Sequence, residues 1–220
     1  MIVGTRKPFE EIIALLGEPV GNRILVLGCD SCMAVSLASG EAEVKELIDE
    51  LREHSDALGL GWEFEGRTLK RQCERKYEER VSELIDGSDA VVSLGCGVGA
   101  QMLSENFPLA NVVPAINTSN MGAPEARGIF KEKCMGCGDC TIHRTAGVCV
   151  LARCSKALQN GPCGGTTDGK CEIDPETDCA WATIYDSLKR RGRLDDVRGL
   201  VPPKDWSRSH SGGVRTVRVG

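Results

Sequence analysis

The sequence predicts an α/β fold in which a Rossmann-like parallel sheet, with helices on both faces, precedes a small cysteine-rich C-terminal domain and an extended basic tail. Apolar runs of strand length alternate with amphipathic helical stripes over residues 1–130, which is typical of a parallel sheet covered by helices. Residues 131–195 lose those stripes and carry most of the 12 cysteines. Residues 196–220 are rich in Lys and Arg and are interrupted by Pro and Gly. We therefore expect three segments, 1–130, 131–195 and 196–220.

The period of the apolar residues predicts the individual elements. Short continuous apolar runs indicate buried strands, and apolar residues three or four positions apart indicate helices. The predicted strands are Arg23–Gly28, Leu60–Phe64, Ala90–Leu94 and Val112–Ile116, and the predicted helices are Glu41–Gly59, Arg67–Asp86 and Cys179–Arg191, after a first helix bearing Phe9, Ile12, Ile13 and Leu16.

Composition excludes several classes of protein. The formal net charge is −5 and aromatic residues make up 4%, so neither broad nucleic-acid binding nor base stacking is expected. The N-terminus lacks the pattern of a signal peptide, and no apolar run is long enough to span a membrane. We expect a cytoplasmic protein without membrane insertion, and in a reducing compartment 12 cysteines indicate metal or redox chemistry.

The densest cysteine motif is the C-x2-C-x2-C run at Cys134, Cys137 and Cys140. Bacterial ferredoxins use this spacing for a [4Fe–4S] cluster whose fourth ligand comes from elsewhere in the chain. Nearby glycines expose backbone N–H groups that can donate to cluster sulfur. Five further cysteines follow, at Cys149, Cys154, Cys163, Cys171 and Cys179. These eight thiols predict two four-cysteine clusters, and the spacing leaves open which cysteines share a cluster.

Other occupants of these thiols stay open at this point. Four thiolates also suit structural zinc, although zinc sites usually consist of two C-x2-C pairs separated by a gap. Disulfides or buried free thiols are further alternatives. His143 could replace one cysteine as a ligand, but a single His among cysteines is more often a bystander.

A second candidate site lies in the N-terminal domain, where cysteines follow two predicted strands. Cys29 and Cys32 come directly after the first, and Cys96 follows the strand Ala90–Leu94. Ligands gather at the carboxyl ends of parallel strands, so these thiols should meet around one point. Cys73 is the expected fourth ligand, although it also fits the apolar stripe of the predicted helix as a small buried residue. The site could hold a third cluster or zinc.

The turn that contains Cys96 also satisfies the dinucleotide pattern G-x-G-x-x-A, from Gly95 to Ala100. An acidic residue should follow at the end of the next strand, where Asn117 stands instead. A nucleotide-dependent oxidoreductase built on this turn is therefore an alternative function with weaker support.

The segment "NGPCGGTTDGKCE", residues 160–172, together with "GVCVLARCSKALQ" before it and "CAWATIYDSLKRRGR" after it, resembles the cysteine-rich C-terminal domain of methylenetetrahydrofolate reductase. "LGCDSC" and "SLGCGVGA" are similar to the N-terminal half of the small iron–sulfur subunit of two-subunit, acetogen-type reductases. The family's cysteine pattern matches seven of the eight C-terminal cysteines, and it matches Cys140 and the N-terminal four less closely.

The resemblance implies an electron-transfer subunit without a catalytic site of its own. Its expected partner is a (β/α)8 subunit that binds FMN or FAD and reduces 5,10-methylene-tetrahydrofolate to 5-methyl-tetrahydrofolate, in the Wood–Ljungdahl pathway of one-carbon metabolism. Further electron-donating iron–sulfur or heterodisulfide-reductase-like subunits could join the assembly. A zinc-binding scaffold subunit is the alternative for the same complex. The alternating Val and Arg of "GGVRTVRVG", residues 212–220, could add an edge strand to a partner's sheet.

Overall fold

The computed structural model describes residues 1–17, 21–210, 213 and 216–217. The chain forms two compact units. The N-terminal unit contains residues 1–120 and 124–130, and the C-terminal unit contains residues 121–123 and 131–220. The edge strand predicted for residues 212–220 falls largely outside the described residues.

A four-stranded parallel sheet forms the centre of the N-terminal unit. Within the described residues the strands are β1 Ile2–Arg6, β2 Arg23–Cys29, β3 Glu63–Leu69, β4 Ala90–Ser93, β5 Val112–Pro114, β6 Ile116–Ala126 and β7 Ile129–Cys134. The parallel sheet has the order β3-β2-β4-β5, and a three-stranded sheet has the order β1-β6-β7. The chain passes from β2 to β3 on one side and then returns to place β4 on the other side of β2. The strand order therefore reverses between β2 and β4.

Helices cover both faces of the parallel sheet. Within the described residues the helices of the N-terminal unit are α1 Phe9–Leu16, α2 Cys32–Val35, α3 Glu41–Leu58, α4 Arg75–Glu78, α5 Ser82–Asp86 and α6 Gly97–Asn106, and those of the C-terminal unit are α7 Val150–Arg153 and α8 Ala180–Arg190. Ile24 and Val26 pack in one core cluster with residues of α1 and α3. Leu25 and Leu27 pack in another with Ile85 of α5 and Leu103 of α6. Because successive strand residues point to opposite faces, β2 is buried on both sides. The predicted mixed α/β fold with a parallel sheet is confirmed.

The predicted helix Arg67–Asp86 is wrong in its first half, and the predicted strand Leu60–Phe64 is displaced. β3 runs from Glu63 to Leu69, and its last residues pair with the end of β2, Cys29 opposite Leu69. The apolar side chains of this segment have a helical period, but its backbone pairs with the buried strand β2, and this pairing determines the conformation. Helix resumes only at α4, so Cys73 lies in the connecting turn and is exposed. It is not part of an apolar helical stripe.

The core of the C-terminal unit is small. Val150 of α7 packs with Trp181, Ile184 and Leu188 of α8, and the Trp181 indole N–H donates to the Leu158 carbonyl over 2.8 Å. Short 3-10 turns follow at Leu194–Val197 and Trp206–Arg208. Among the described residues, no helix has both the length and the apolar character needed to cross a membrane.

Glu78 is a buried carboxylate in the N-terminal unit, and its hydrogen bonds are incomplete. Its side chain is fully buried, one carboxylate oxygen accepts from the Asn106 amide, and the other has no hydrogen-bond partner. Burial raises the pKa of the Glu78 carboxyl above its ordinary value. The folded state therefore binds this proton more readily than the unfolded state, and the free energy of unfolding falls as pH rises above the ordinary pKa of Glu, about 4.3.

We expect Glu78→Gln to raise the free energy of unfolding of the N-terminal unit at pH 7 by on the order of 1 kcal/mol. The gain should vanish near pH 4, where the native carboxyl is already protonated. Hydrogen exchange of the β2 and β4 amides measures this quantity. Glu79→Gln is the matched control, since Glu79 is exposed and pairs with Arg75 over 3.0 Å. Equal effects of the two substitutions at pH 7 would contradict the assignment.

Candidate metal centres

Four cysteines of the C-terminal unit line one cavity of about 230 Å³, called here the first thiol cavity. They are Cys134, Cys137, Cys140 and Cys149. The C-x2-C-x2-C loop forms one wall. Apolar side chains, among them Ile142, Val148 and Leu151, line much of the remainder. The cavity thus combines several sulfur donors with a largely apolar surround.

Backbone conformation brings the sulfurs of this loop together. Gly136 and Gly138 adopt φ values of 66° and 80°, a left-handed region that favours glycine, so the chain turns twice within seven residues. The Gly136 N–H donates to Cys134 Sγ over 3.4 Å. Cys149 enters from the other side as the residue before α7, whose first residue, Val150, is anchored in the core.

The remaining four cysteines of this unit line a separate space, the second thiol cavity. They are Cys154, Cys163, Cys171 and Cys179. Cys154 directly follows α7, and Cys179 directly precedes α8. The Cys179 N–H donates to the Gly169 carbonyl over 2.7 Å, and the Cys171 N–H donates to the Thr177 carbonyl over 2.9 Å. These bonds hold residues 169–179 as a compact loop that presents two of the thiols.

Hydrogen bonds in the second thiol cavity favour the thiolate form. The Gly165 N–H lies 3.5 Å from Cys163 Sγ, which repeats the spacing seen at Cys134 and Gly136. The backbone N–H of Ile173 and then the Ser155 hydroxyl hold the pKa of the Cys171 thiol below its ordinary value. Because thiolates are the ligating form, N–H donors aimed at sulfur suit a metal or a cluster.

The helix α7 separates the two sets. Cys149 and Cys154 flank its four residues, and each lies in a different cavity. The structure thus groups the eight cysteines by the cavity that they line, four from 134 to 149 and four from 154 to 179. His143 lines neither cavity. Among the described residues, no three His, Cys, Asp or Glu side chains are arranged to hold a single metal ion.

The N-terminal thiols lie at the carboxyl edge of the parallel sheet. Cys29 is the last residue of β2, Cys73 lies in the turn after β3, and Cys96 follows β4 as the residue before α6. Cys32 begins α2. Since β2 and β4 are neighbours and the strand order reverses between them, Cys29 and Cys96 lie where open α/β sheets bind ligands.

Neighbouring thiols at this edge raise the pKa values of Cys29 and Cys73. Burial raises the pKa of the Cys29 thiol, and the nearby Cys96 and Cys73 raise it further. Partial burial followed by the charge of Cys96 raises the pKa of Cys73. A thiolate disfavours the ionisation of a neighbouring thiol, and a bound cation reverses that preference.

A buried glutamine explains two glycines of the "GCGVGA" turn. Gln72 donates to the carbonyls of Leu27 and Gly28 over 2.7 and 3.0 Å and accepts from the Ser93 hydroxyl over 2.6 Å. It thereby fixes the Cys73 turn against the ends of β2 and β4. A Cβ at Gly95 would lie 2.3 Å from Gln72 Oε1. Sequence analysis missed this residue, because a lone glutamine in a supposed helix gives no signal.

The second glycine of the turn has a different environment. The Gly97 N–H donates to the Thr118 hydroxyl over 2.8 Å, and a Cβ there would meet only that oxygen, at 3.5 Å. Gly99, like Gly95, lies against Gln72, with a Cβ 2.8 Å from the Gln72 Cβ. Contact with Gln72 accounts for Gly95 and Gly99 without a nucleotide.

One protein family matches the segment of the chain that contains both thiol cavities. Residues 113–207 match the family described as methylene-tetrahydrofolate reductase C terminal. The eight cysteines of the two cavities lie within the matched segment, and the four N-terminal cysteines lie outside it. The match covers less than half of the 220 residues. Searches of curated proteins and of solved structures found no match.

We expect Gly95→Ala to lower the free energy of unfolding of the N-terminal unit by about 2–3 kcal/mol, because the new methyl group displaces Gln72 from its three hydrogen bonds. Hydrogen exchange of the β2 and β4 amides measures the loss. Gly97→Ala is the matched control in the same turn and should change stability little. A dinucleotide role for the turn predicts the reverse order in binding assays, with Gly97 the more sensitive glycine.

Proposed function

We propose that the protein is the iron–sulfur electron-transfer subunit of a two-subunit methylenetetrahydrofolate reductase. In this proposal it relays electrons to a flavin, FMN or FAD, on a separate (β/α)8 subunit that carries the folate site. The observation that carries the proposal is the grouping of eight cysteines into two four-thiol cavities within the segment that matches the reductase C-terminal family.

The donor set fits two [4Fe–4S] clusters. Each cavity offers four cysteines, and sulfur atoms in each accept backbone N–H bonds of the kind that stabilise anionic clusters. A cluster held in each cavity would supply one-electron transfer. The residues of this chain would bind it, exclude water through the apolar walls of the first cavity, and tune its charge through nearby N–H groups.

The short distance along the chain between the two cavities also suits an electron relay. Cys149 and Cys154 belong to different cavities and are separated only by the four residues of α7. Groups bound by these two cysteines would therefore lie near one another, as successive carriers require. The helix is tied to the core through Val150, which fixes this relation within the C-terminal unit.

The N-terminal thiols are proposed as a third metal site, with Cys29, Cys32, Cys73 and Cys96 as ligands. Their support is the position of three of them at the carboxyl ends of neighbouring strands, together with the raised pKa values of Cys29 and Cys73, which burial and then Cys96 help to raise. Four thiolates are the donor type of both a third cluster and zinc, and a single zinc ion would require these side chains to converge further than they do in the described structure.

Iron, sulfide and zinc analysis of protein purified without oxygen tests the proposal. We expect iron and acid-labile sulfide in the proportion of two [4Fe–4S] clusters with zinc, or of three clusters, according to what the N-terminal site binds. We also expect a brown colour that bleaches with dithionite and an EPR signal in the reduced protein. Reduced protein should then bleach the flavin of the co-purified catalytic subunit. Zinc without iron, in a colourless preparation with intact thiols, would refute the relay and favour the scaffold function.

A further inference from the structure

A buried lysine lies against the C-x2-C-x2-C loop. The Lys204 side chain is 3% exposed, and its Nζ lies 2.5 Å from the Asp139 carbonyl oxygen and 3.3 Å from Asp139 Oδ2. Asp139 stands between Cys137 and Cys140, two residues that line the first thiol cavity. One ammonium group therefore binds both the backbone and the side chain of the residue that joins two candidate ligands.

The segment that carries this lysine, residues 196–209, is fastened to the C-terminal unit along its length; we call it the strap. Arg144 donates to the carbonyls of Asp196 and Gly199 over 3.3 and 3.1 Å. Asn160 and Val201 exchange two hydrogen bonds, of 3.1 and 2.6 Å. These contacts bring Lys204 to the loop with little freedom.

The end of the strap presses on the loop at a second point. A Cβ placed on Gly138 would lie 2.2 Å from the Arg208 carbonyl oxygen, so the strap backbone occupies the space beside this glycine. The Asp205 carboxylate accepts the Ser207 N–H over 3.0 Å and fixes the turn Trp206–Arg208 that makes this contact. The strap therefore contacts the loop at two adjacent residues, Gly138 and Asp139.

Burial of an ammonium group is unfavourable unless its hydrogen bonds and charge are compensated. Asp139 supplies both kinds of compensation, and in exchange its own position is fixed. The pair adds no net charge beside the cavity. Loss of the lysine alone leaves the carboxylate of Asp139 uncompensated close to Cys137 and Cys140.

We propose that Lys204 is a positioning residue for the first thiol cavity: it locks the Cys137–Cys140 turn in the liganding conformation and neutralises Asp139 beside the bound group. The second half of this statement rests on the proposed iron–sulfur function. The first half concerns the loop itself and applies whatever the cavity holds.

The charge of Asp139 should affect the reduction potential of a cluster bound in the first thiol cavity. A cluster gains negative charge when it is reduced, so an uncompensated carboxylate beside it disfavours reduction. Lys204→Met should therefore lower the reduction potential of the first cluster and leave that of the second unchanged. Lys204→Met combined with Asp139→Asn restores neutrality, so its potential should return toward the native value although the lock is absent.

The proposed restraint of the Cys137–Cys140 turn by Lys204 is tested on metal-free full-length protein. The measurement is the rate of thiol alkylation at each cysteine, read by mass spectrometry. In Lys204→Met we expect Cys137, which is half-buried and whose Sγ lies 3.6 Å from the Asp139 carbonyl oxygen, to react about tenfold faster or more, because the loop loses the ammonium group that holds Asp139. Cys163 and Cys171 of the second cavity are internal references. Arg198→Met is the matched control, since Arg198 pairs with Asp195 on an exposed part of the strap.

The outcomes separate the two proposals. Unchanged alkylation of Cys137 in Lys204→Met overturns the proposed role of Lys204 in holding the loop. If Lys204→Met also speeds the alkylation of Cys163 and Cys171, the comparison moves to the double variant, which has no uncompensated charge. The double variant should still react faster at Cys137, and a native rate at Cys137 in that variant overturns the proposal. Native protein without iron refutes the proposed function while the alkylation result stands. Iron-replete protein with equal potentials in all variants overturns the charge effect.

Discussion

The short helix between Cys149 and Cys154 is the constraint on which the cysteine-rich unit depends. Its four residues leave Cys149 at the first thiol cavity and Cys154 at the second, while Val150 is held in the core beside Trp181 and Ile184. Each end therefore contributes to a different set of four. The remaining ligands are brought in by loops whose shape depends on left-handed glycines and on N–H groups directed at sulfur. A small core of four buried side chains is thus enough to organise eight thiols.

The N-terminal unit uses a different construction for the same type of side chain. There the sheet supplies the rigidity, and thiols occupy the ends of β2, β3 and β4 as substrates or cofactors do in other open α/β sheets. Gln72 ties the turn that bears Cys73 to the ends of the two neighbouring strands. The glycines of the Gly95 turn make room for this side chain, so a pattern that looks like a phosphate loop is explained by packing.

Much of this arrangement could be predicted from local sequence. The strands β2 and β4 are continuous apolar runs, and the spacing of Cys134, Cys137 and Cys140 predicts shared ligation without any tertiary information. What could not be predicted depends on distant partners. The residues before Cys73 have a helical apolar period but pair with β2, and the chain from Ile116 to Cys134 forms polar strands without an alternating pattern. The division of thiols between cavities, and the role of Lys204, depend on packing that no spacing encodes.

Anomalous diffraction at the iron edge, from crystals grown without oxygen, tests the central claim most directly. The account predicts two iron-rich peaks in the C-terminal unit, one bounded by the sulfurs of Cys134, Cys137, Cys140 and Cys149 and the other by those of Cys154, Cys163, Cys171 and Cys179. An iron peak that takes its ligands from both sets, or crystals with all eight thiols intact and no iron signal, would contradict it.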